Sequence, residues 1–341
     1  MKNRHFAALF VLALGGADLS APALADEVNL YSARKEDLIK PLLDRFTEKT
    51  GITVNLITGE ADVLLKRIVA EGKNTPADLL LTTDVGRLYR AKAEGVTAPI
   101  GSAALTAAVP AQYRDSADHW VGLSLRARPI MYAKGKVDPA ELSTYEALVD
   151  AKWKGRICIR SSSNVYNQSM MASMIAADGA EAAESWAKGL VANFARPPEG
   201  GDRDQIKAAA AGQCDIAIAN TYYLAGMVGS EEASQREAAA KVAVFWPNQD
   251  GRGTHVNVSG AALVKASKHP EAARALLEFL VSDESQAWYA EANGEYPVRP
   301  GIGLSPVLAE WGTFKADELN LDRLGELNAE ALMIMDRAGW K

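Results

Sequence analysis

The sequence predicts an α/β protein folded as two lobes around a hinged cleft. Three observations carry this expectation. Apolar runs with strand patterning alternate with amphipathic segments of helical period, at the spacing of parallel-sheet units. Two extended runs, around Gly122 to Tyr132 and Val256 to Val264, are placed to cross between halves. The chain has 341 residues, enough for two domains with sizeable cores.

The first lobe opens with a strand at Val28–Tyr31 and an amphipathic helix over Glu36–Thr50, with Leu38, Leu42, Leu43 and Phe46 on one face and Gly51 just past its end. Ile52–Ile57 is a second strand and Asp62–Glu71 a second helix. Leu79–Thr82 is a third strand, followed by a helix over Val85–Gly95. The run containing Arg126, Arg128 and Pro129 is extended and apolar apart from its arginines. A strand passing between lobes would show one face to a cleft and suits them. A surface edge strand is the alternative, and Pro129 permits it.

The second lobe is predicted from the strand around Ile157–Ile159, helices over Val165–Ala177, Ala180–Asn193 and Gln205–Gly212, the strand Asp215–Ala219, and a strand at Val242–Trp246. Val256–Val264 reads as the return crossing. Pro270–Val281 and Leu321–Ala338 read as helices. The expected division is residues 26–127 with about 256–303 in the N-terminal lobe, and 128–255 with about 304–341 in the C-terminal lobe.

Residues 1–25 read as a cleavable secretory signal. Lys2 and Arg4 form a basic start, Phe6 to Leu14 is an apolar run too short to span a bilayer, and Ala23-Leu24-Ala25 matches a small-x-small cleavage pattern. No lipidation cysteine is present in the chain. The expectation is an exported monomer that is not membrane-embedded. The formal net charge of −6 and the lack of a basic block argue against a nucleic-acid partner. The two cysteines, Cys158 and Cys214, each lie at or beside a predicted strand. In an exported protein they are expected to form one disulfide, with two buried thiols as the alternative.

Candidate chemistry gathers at strand ends, where open α/β sheets bind ligands. Tyr222 and Tyr223 follow the Asp215–Ala219 strand at a turn into a helix. Such pairs are ordinarily packing. On a tight strand-to-helix connection, however, both rings can enter one cleft. Ser161, Ser162, Ser163 and Asn164 open the next predicted helix, as caps or as an anion cradle. Tyr166 lies in that helix's first turn and converges with the pair if the two strands are neighbours. Phenols ionise near pH 10, so three phenolates at neutral pH need a strong opposing charge, which a hard trivalent ion supplies. Softer sites lack ligands, since His119, His255 and His269 are scattered. None of the sequence signatures of hydrolase nucleophile elbows, zinc proteases, P-loops or dinucleotide folds is present, and a non-enzyme is expected.

Eight stretches resemble the periplasmic ferric-ion-binding proteins of bacterial ABC importers: Tyr31–Arg34, Thr75–Asp78, Arg126–Arg128, Trp153–Arg156, Arg160–Asn167, Gly200–Gln205, Asn220–Tyr223 and Gly253–Gly260. They run in order across nearly the whole chain after the signal. The resemblance implies the type II periplasmic binding fold, closing on Fe3+ for delivery to an inner-membrane permease. It implies Tyr166, Tyr222 and Tyr223 as metal ligands, with carbonate or another synergistic anion completing the shell. Arg34, Arg126, Arg128, Ser161, Ser162, Ser163 and Asn164 are the expected anion-side residues, because an arginine fork matches a bidentate oxyanion. Many members carry histidine, or histidine then tyrosine, where this chain has Lys35 and Glu36. Glu36 and Asp84 are therefore further candidate ligands from the first lobe. A same-fold binder of an anion such as an organic phosphate, using the arginines and serines, is the competing expectation.

Overall fold

The computed structural model describes residues 27–341; the signal segment lies outside the described residues. Ten strands form two sheets. Strands β1 (Glu27–Ser32), β2 (Thr53–Thr58) and β3 (Leu79–Thr83) lie parallel in the order β2-β1-β3. Strand β4 (Thr97–Ala98) and strand β5 (Trp120–Ala127) complete the first sheet through β10 (Val256–Val264), which runs antiparallel to β3, β4 and β5. The second sheet has the order β7-β8-β6-β9, built from β6 (Ile130–Ala133), β7 (Ile157–Cys158), β8 (Ile216–Ile218) and β9 (Val242–Phe245). Strands β7 and β8 are parallel, whereas β6 runs antiparallel to both of its neighbours.

The chain passes from the first sheet to the second at Arg128-Pro129, between β5 and β6. Proline has no N–H to give a ladder, so pairing stops there and resumes on the other sheet. The return differs from the sequence expectation. Strand β10 lies wholly within the first sheet, and residues 246–255 make the crossing. It is paired on both edges, and its nine residues are all buried, so both of its faces are covered. That placement explains its unbroken apolar and small-residue run.

Two predicted helices are interrupted. Glu36–Leu38 is a single 3-10 turn, and the α-helix begins at Lys40 with Pro41 in its first turn, where a missing N–H is tolerated. It ends as expected at Gly51, which adopts φ 76°. The tail is two helices, Asp322–Glu326 and Asn328–Arg337, rather than one. The tail helix packs on the second-sheet side: Trp340 Nε1 donates to the Arg160 carbonyl at 2.9 Å and Arg337 pairs with Glu184 at 2.6 Å. The Asp283–Asn293 helix was not foreseen.

Cys158 and Cys214 form a disulfide, with Cα atoms 5.9 Å apart. It ties the end of β7 to the start of β8, the two strands that deliver the residues described next. No helix among the described residues is long and apolar enough to cross a membrane.

Candidate metal centre

The parallel pairing of β7 and β8 puts their carboxyl ends side by side. After β8, Asn220 stands just before the Thr221–Val228 helix with its side-chain oxygen turned to Arg128, and the helix's first turn carries Tyr222 and Tyr223. After β7, the serine run leads to Asn164, whose side chain accepts from the Tyr166 N–H at 3.1 Å and starts the Val165–Asp178 helix. The three tyrosines therefore come from the first turns of two adjacent helices. The rings of Tyr222 and Tyr223 lie 4.2 Å apart between centroids, and the Tyr222 hydroxyl donates to the Tyr166 oxygen at 3.2 Å. All three side chains are partly exposed. Among the described residues, no group of three or more His, Cys, Asp and Glu side chains is placed to hold a metal. The gathered acidic oxygens are phenolic, a donor set for a hard cation.

Beneath the tyrosines lies a buried charge cluster. The Arg126 guanidinium carbon is 5.1 Å from the Tyr222 ring centroid and 5.7 Å from that of Tyr166. Arg126 is held by Ser259 and by Glu295 at 3.2 Å. Arg34 donates to Ser259 at 2.9 Å and to Glu295 at 3.0 Å, and Ser124 donates to Glu295 at 2.5 Å. Glu295 reaches this position because Gly294, at φ 61°, ends the preceding helix. A Cβ at Gly294 would lie 2.6 Å from the Ala225 Cβ, so only glycine lets this loop approach the tyrosine helix.

The electrostatics separate the three phenols. Burial pushes Tyr166 up, but the Arg126 guanidinium and the hydroxyls of Tyr222 and Thr83 outweigh it, leaving Tyr166 below the ordinary phenol value. Burial and the neighbouring Tyr166 hold Tyr222 well above it. Burial, with Tyr166 and Asp202, pushes Tyr223 up to about 12. Without a cation, Tyr166 is thus the phenol of the three that gives up its proton most readily. A multivalent cation is what would ionise the other two.

The other expected residues are placed as follows. Arg128 is buried, and its Nη atoms donate to Asp202 (3.0 Å), Asn220 (2.9 Å), Asn167 (2.6 Å) and the Ile218 carbonyl (3.3 Å). It locks the ends of β8 and two helices together and offers no free fork to an anion. Asp84 is fully buried, with one carboxylate oxygen accepting from Gly86 N and Ser169 Oγ and the other from Asn257 Nδ2. Burial pushes its carboxyl up. Glu36 is exposed on its 3-10 turn. Ser161 and Ser163 hydrogen-bond to each other at 3.0 Å and stay accessible. Gln168 Nε2 donates to the Ser162 carbonyl at 3.0 Å.

Two site residues were missed by sequence reasoning. Arg160 stands directly before the serines, with its guanidinium carbon 5.7 Å from the Tyr166 ring centroid and a long 3.7 Å ion pair to Asp202. Its position before Ser161 was the available signal. Glu295 lies outside every motif; the signal was indirect, since two buried arginines demand a carboxylate.

The architecture and the strand-end site define a two-lobed solute-binding protein. Residues 42–316 match the bacterial extracellular solute-binding protein family, and the chain belongs to it, standing within it among the ferric-ion-binding proteins. It is 52% identical to Iron uptake protein A1 of Synechocystis sp., across 94% of this chain and 89% of that protein. It is 27% identical to the Major ferric iron-binding protein of Neisseria meningitidis serogroup B, with both chains fully covered. Among solved structures, it superposes on the Trichodesmium protein IdiA (FutA), described in complex with iron and citrate. The TM-score is 0.91 at 53% identity, covering 92% of this chain and all of that one.

Proposed function

We propose that this protein captures ferric iron in the periplasm, binding it in the cleft between its lobes through Tyr166, Tyr222 and Tyr223, and hands it to an ABC permease. The observation that carries this reading is the convergence of three phenols above a buried guanidinium, with Tyr222 and Tyr166 oxygens 3.2 Å apart. Oxygens at that separation suit shared ligation of one hard ion. The names of the relatives, iron uptake and ferric iron-binding proteins, support the choice of cargo. Removal of the signal segment fits export to the same compartment.

The remaining coordination positions belong to an exogenous anion such as carbonate. Arg160 and the accessible Ser161 and Ser163 are its best placed protein partners. Arg128 spends both Nη atoms on Asp202, the two asparagines and the Ile218 carbonyl, and Arg34 Nη1 is held by Ser259 and Glu295. Arg126 engages Ser259 and Glu295 through Nη2 alone, leaving Nη1 and Nε without a partner beneath the tyrosines. The engagement of Arg128 weighs against a primary organic-phosphate binder that would use its fork. The lobes are read as residues 26–127 with about 256–303, and 128–255 with about 304–341.

The test is competition for iron against citrate. Tyr166→Phe, Tyr222→Phe and Tyr223→Phe should each weaken iron binding by two orders of magnitude or more while the thermal midpoint stays within a few degrees. Wild-type affinity in all three would remove the site.

A further inference from the structure

The end of β3 makes an unusual contact with the helix that carries Tyr166. Asp84, the residue after β3, is fully buried and adopts φ 78° and ψ 128°, a backbone conformation that is unfavourable for a non-glycine residue. Such a conformation persists only where the surroundings over-determine it. Here they do. One carboxylate oxygen caps the Val85–Ala93 helix through Gly86 N at 2.9 Å and accepts from Ser169 Oγ at 2.6 Å. The other accepts from Asn257 Nδ2 at 2.9 Å, and Asn257 Oδ1 in turn accepts from Val85 N at 2.8 Å.

Asp84, Asn257 and Gly86 all belong to the first-sheet side, whereas Ser169 is on the Val165–Asp178 helix that follows β7 of the second sheet. The Asp84–Ser169 bond therefore spans the two halves. Ser169 is buried and lies three residues beyond Tyr166, on the same helix face. Thr83, immediately before Asp84, is one of the groups that lower Tyr166. The end of β3 thus meets the helix that carries Tyr166 one turn beyond that tyrosine. The capping role of Asp84 needs only Gly86; the strained backbone and the second partner are explained by the reach to Ser169.

We infer that Asp84 is a positioning residue whose bond to Ser169 latches the two lobes together and fixes the Tyr166 helix in its closed, metal-holding arrangement. The inference rests on the iron-binding reading for its consequence but not for its geometry. A hydrogen bond across the two halves that breaks as they part would stabilise the shut arrangement over the open one.

Ser169→Ala removes the donor without disturbing the helix, since alanine is the better helix former. The iron-loaded variant should lose iron to an external chelator roughly tenfold faster than wild type, with a thermal midpoint within a few degrees. By small-angle scattering under matched conditions it should have a larger radius of gyration. The scattering readout also works on metal-free protein, so it separates failure of the latch from failure of the tyrosine assignment. A second variant works by gain. A Cβ at Gly86 would lie 3.8 Å from Ser169 Oγ and 3.2 Å from the Asp84 carboxylate, so Gly86→Cys with Ser169→Cys sets two thiols across the same gap in place of the Asp84–Ser169 bond. The oxidised form should hold loaded iron against chelator, and reduction should release it, with wild type given the same treatment as control. Wild-type transfer rates and scattering in Ser169→Ala, or a loss of thermal stability with unchanged transfer, would overturn the latch. So would equal iron loss from the oxidised and reduced double variant.

Discussion

Tyr222 donates its hydroxyl proton to the oxygen of Tyr166 across 3.2 Å, from one helix start to its neighbour. Tyr166, lowered by Arg126 and by this bond against the cost of burial, is the phenol that ionises first. In metal-free protein with tyrosine ring carbons labelled for NMR, one tyrosine should titrate below pH 10 and be lost in Tyr166→Phe. In Tyr222→Phe its midpoint should move up, because the donor is gone. An unchanged midpoint would mean the bond does not bias the pair.

Glu295 holds two buried arginines. Burial pushes its carboxyl up, but Arg34 and Arg126, with the Ser124 hydroxyl, outweigh it and hold it below the ordinary 4.5. A depressed carboxyl stabilises the fold above its unfolded value, and that stabilisation is lost as pH falls through the folded one. Glu295→Gln leaves two guanidiniums without a counter-charge. Urea unfolding at pH 7 should show a loss of about 3–5 kcal/mol, and the variant should be less sensitive than wild type to acidification below pH 4.5.

His255 sits buried beside Arg252 and Arg128. Burial first, then those two charges, lower it from 6.5 to about 3. The unfolded chain therefore binds one more proton in between, and stability should fall by about 1.4 kcal/mol for each pH unit from 6.5 toward 3 on this account. Replacing His255 with a non-titrating residue, His255→Asn, should flatten that part of the urea stability profile whatever it does to stability at pH 7.

The disulfide joins two strands whose carboxyl ends lead to all three tyrosines. Closing a loop of sequence separation 56 corresponds to about 4 kcal/mol in the chain-entropy account. Cys158→Ala with Cys214→Ala should lose about 2–4 kcal/mol by urea unfolding. If the bond also sets the spacing of β7 and β8, iron affinity should drop in parallel.

Much of this site was legible because its parts are local. Strand patterning followed by serine and asparagine caps places Tyr166, and the same logic places Tyr222 and Tyr223. Their convergence depends only on β7 and β8 being neighbours, as the cysteines beside both strands hinted. What stayed hidden is long-range. Nothing near Arg128 in sequence reveals that Asp202, Asn167 and Asn220 consume its donors, nor that Glu295 sits 169 positions from Arg126 in sequence yet touches it. Arg126 and Arg128 look alike as residues in one apolar run, yet they fall on opposite sides of the Pro129 switch and serve different clusters. The β10 run looked like a crossing because buried central strands and crossings share the same apolar, extended pattern. The break before Lys40 was invisible to helical periodicity, which continues through it.

The most direct measurement is the visible absorption spectrum of the purified mature protein, before and after ferric citrate and bicarbonate, repeated on Tyr222→Phe. Phenolate bound to ferric iron gives a charge-transfer band in the visible. The account predicts a red-orange band in the wild-type protein that fades in the variant. A colourless protein under every condition, or a band of undiminished intensity in Tyr222→Phe, would contradict it.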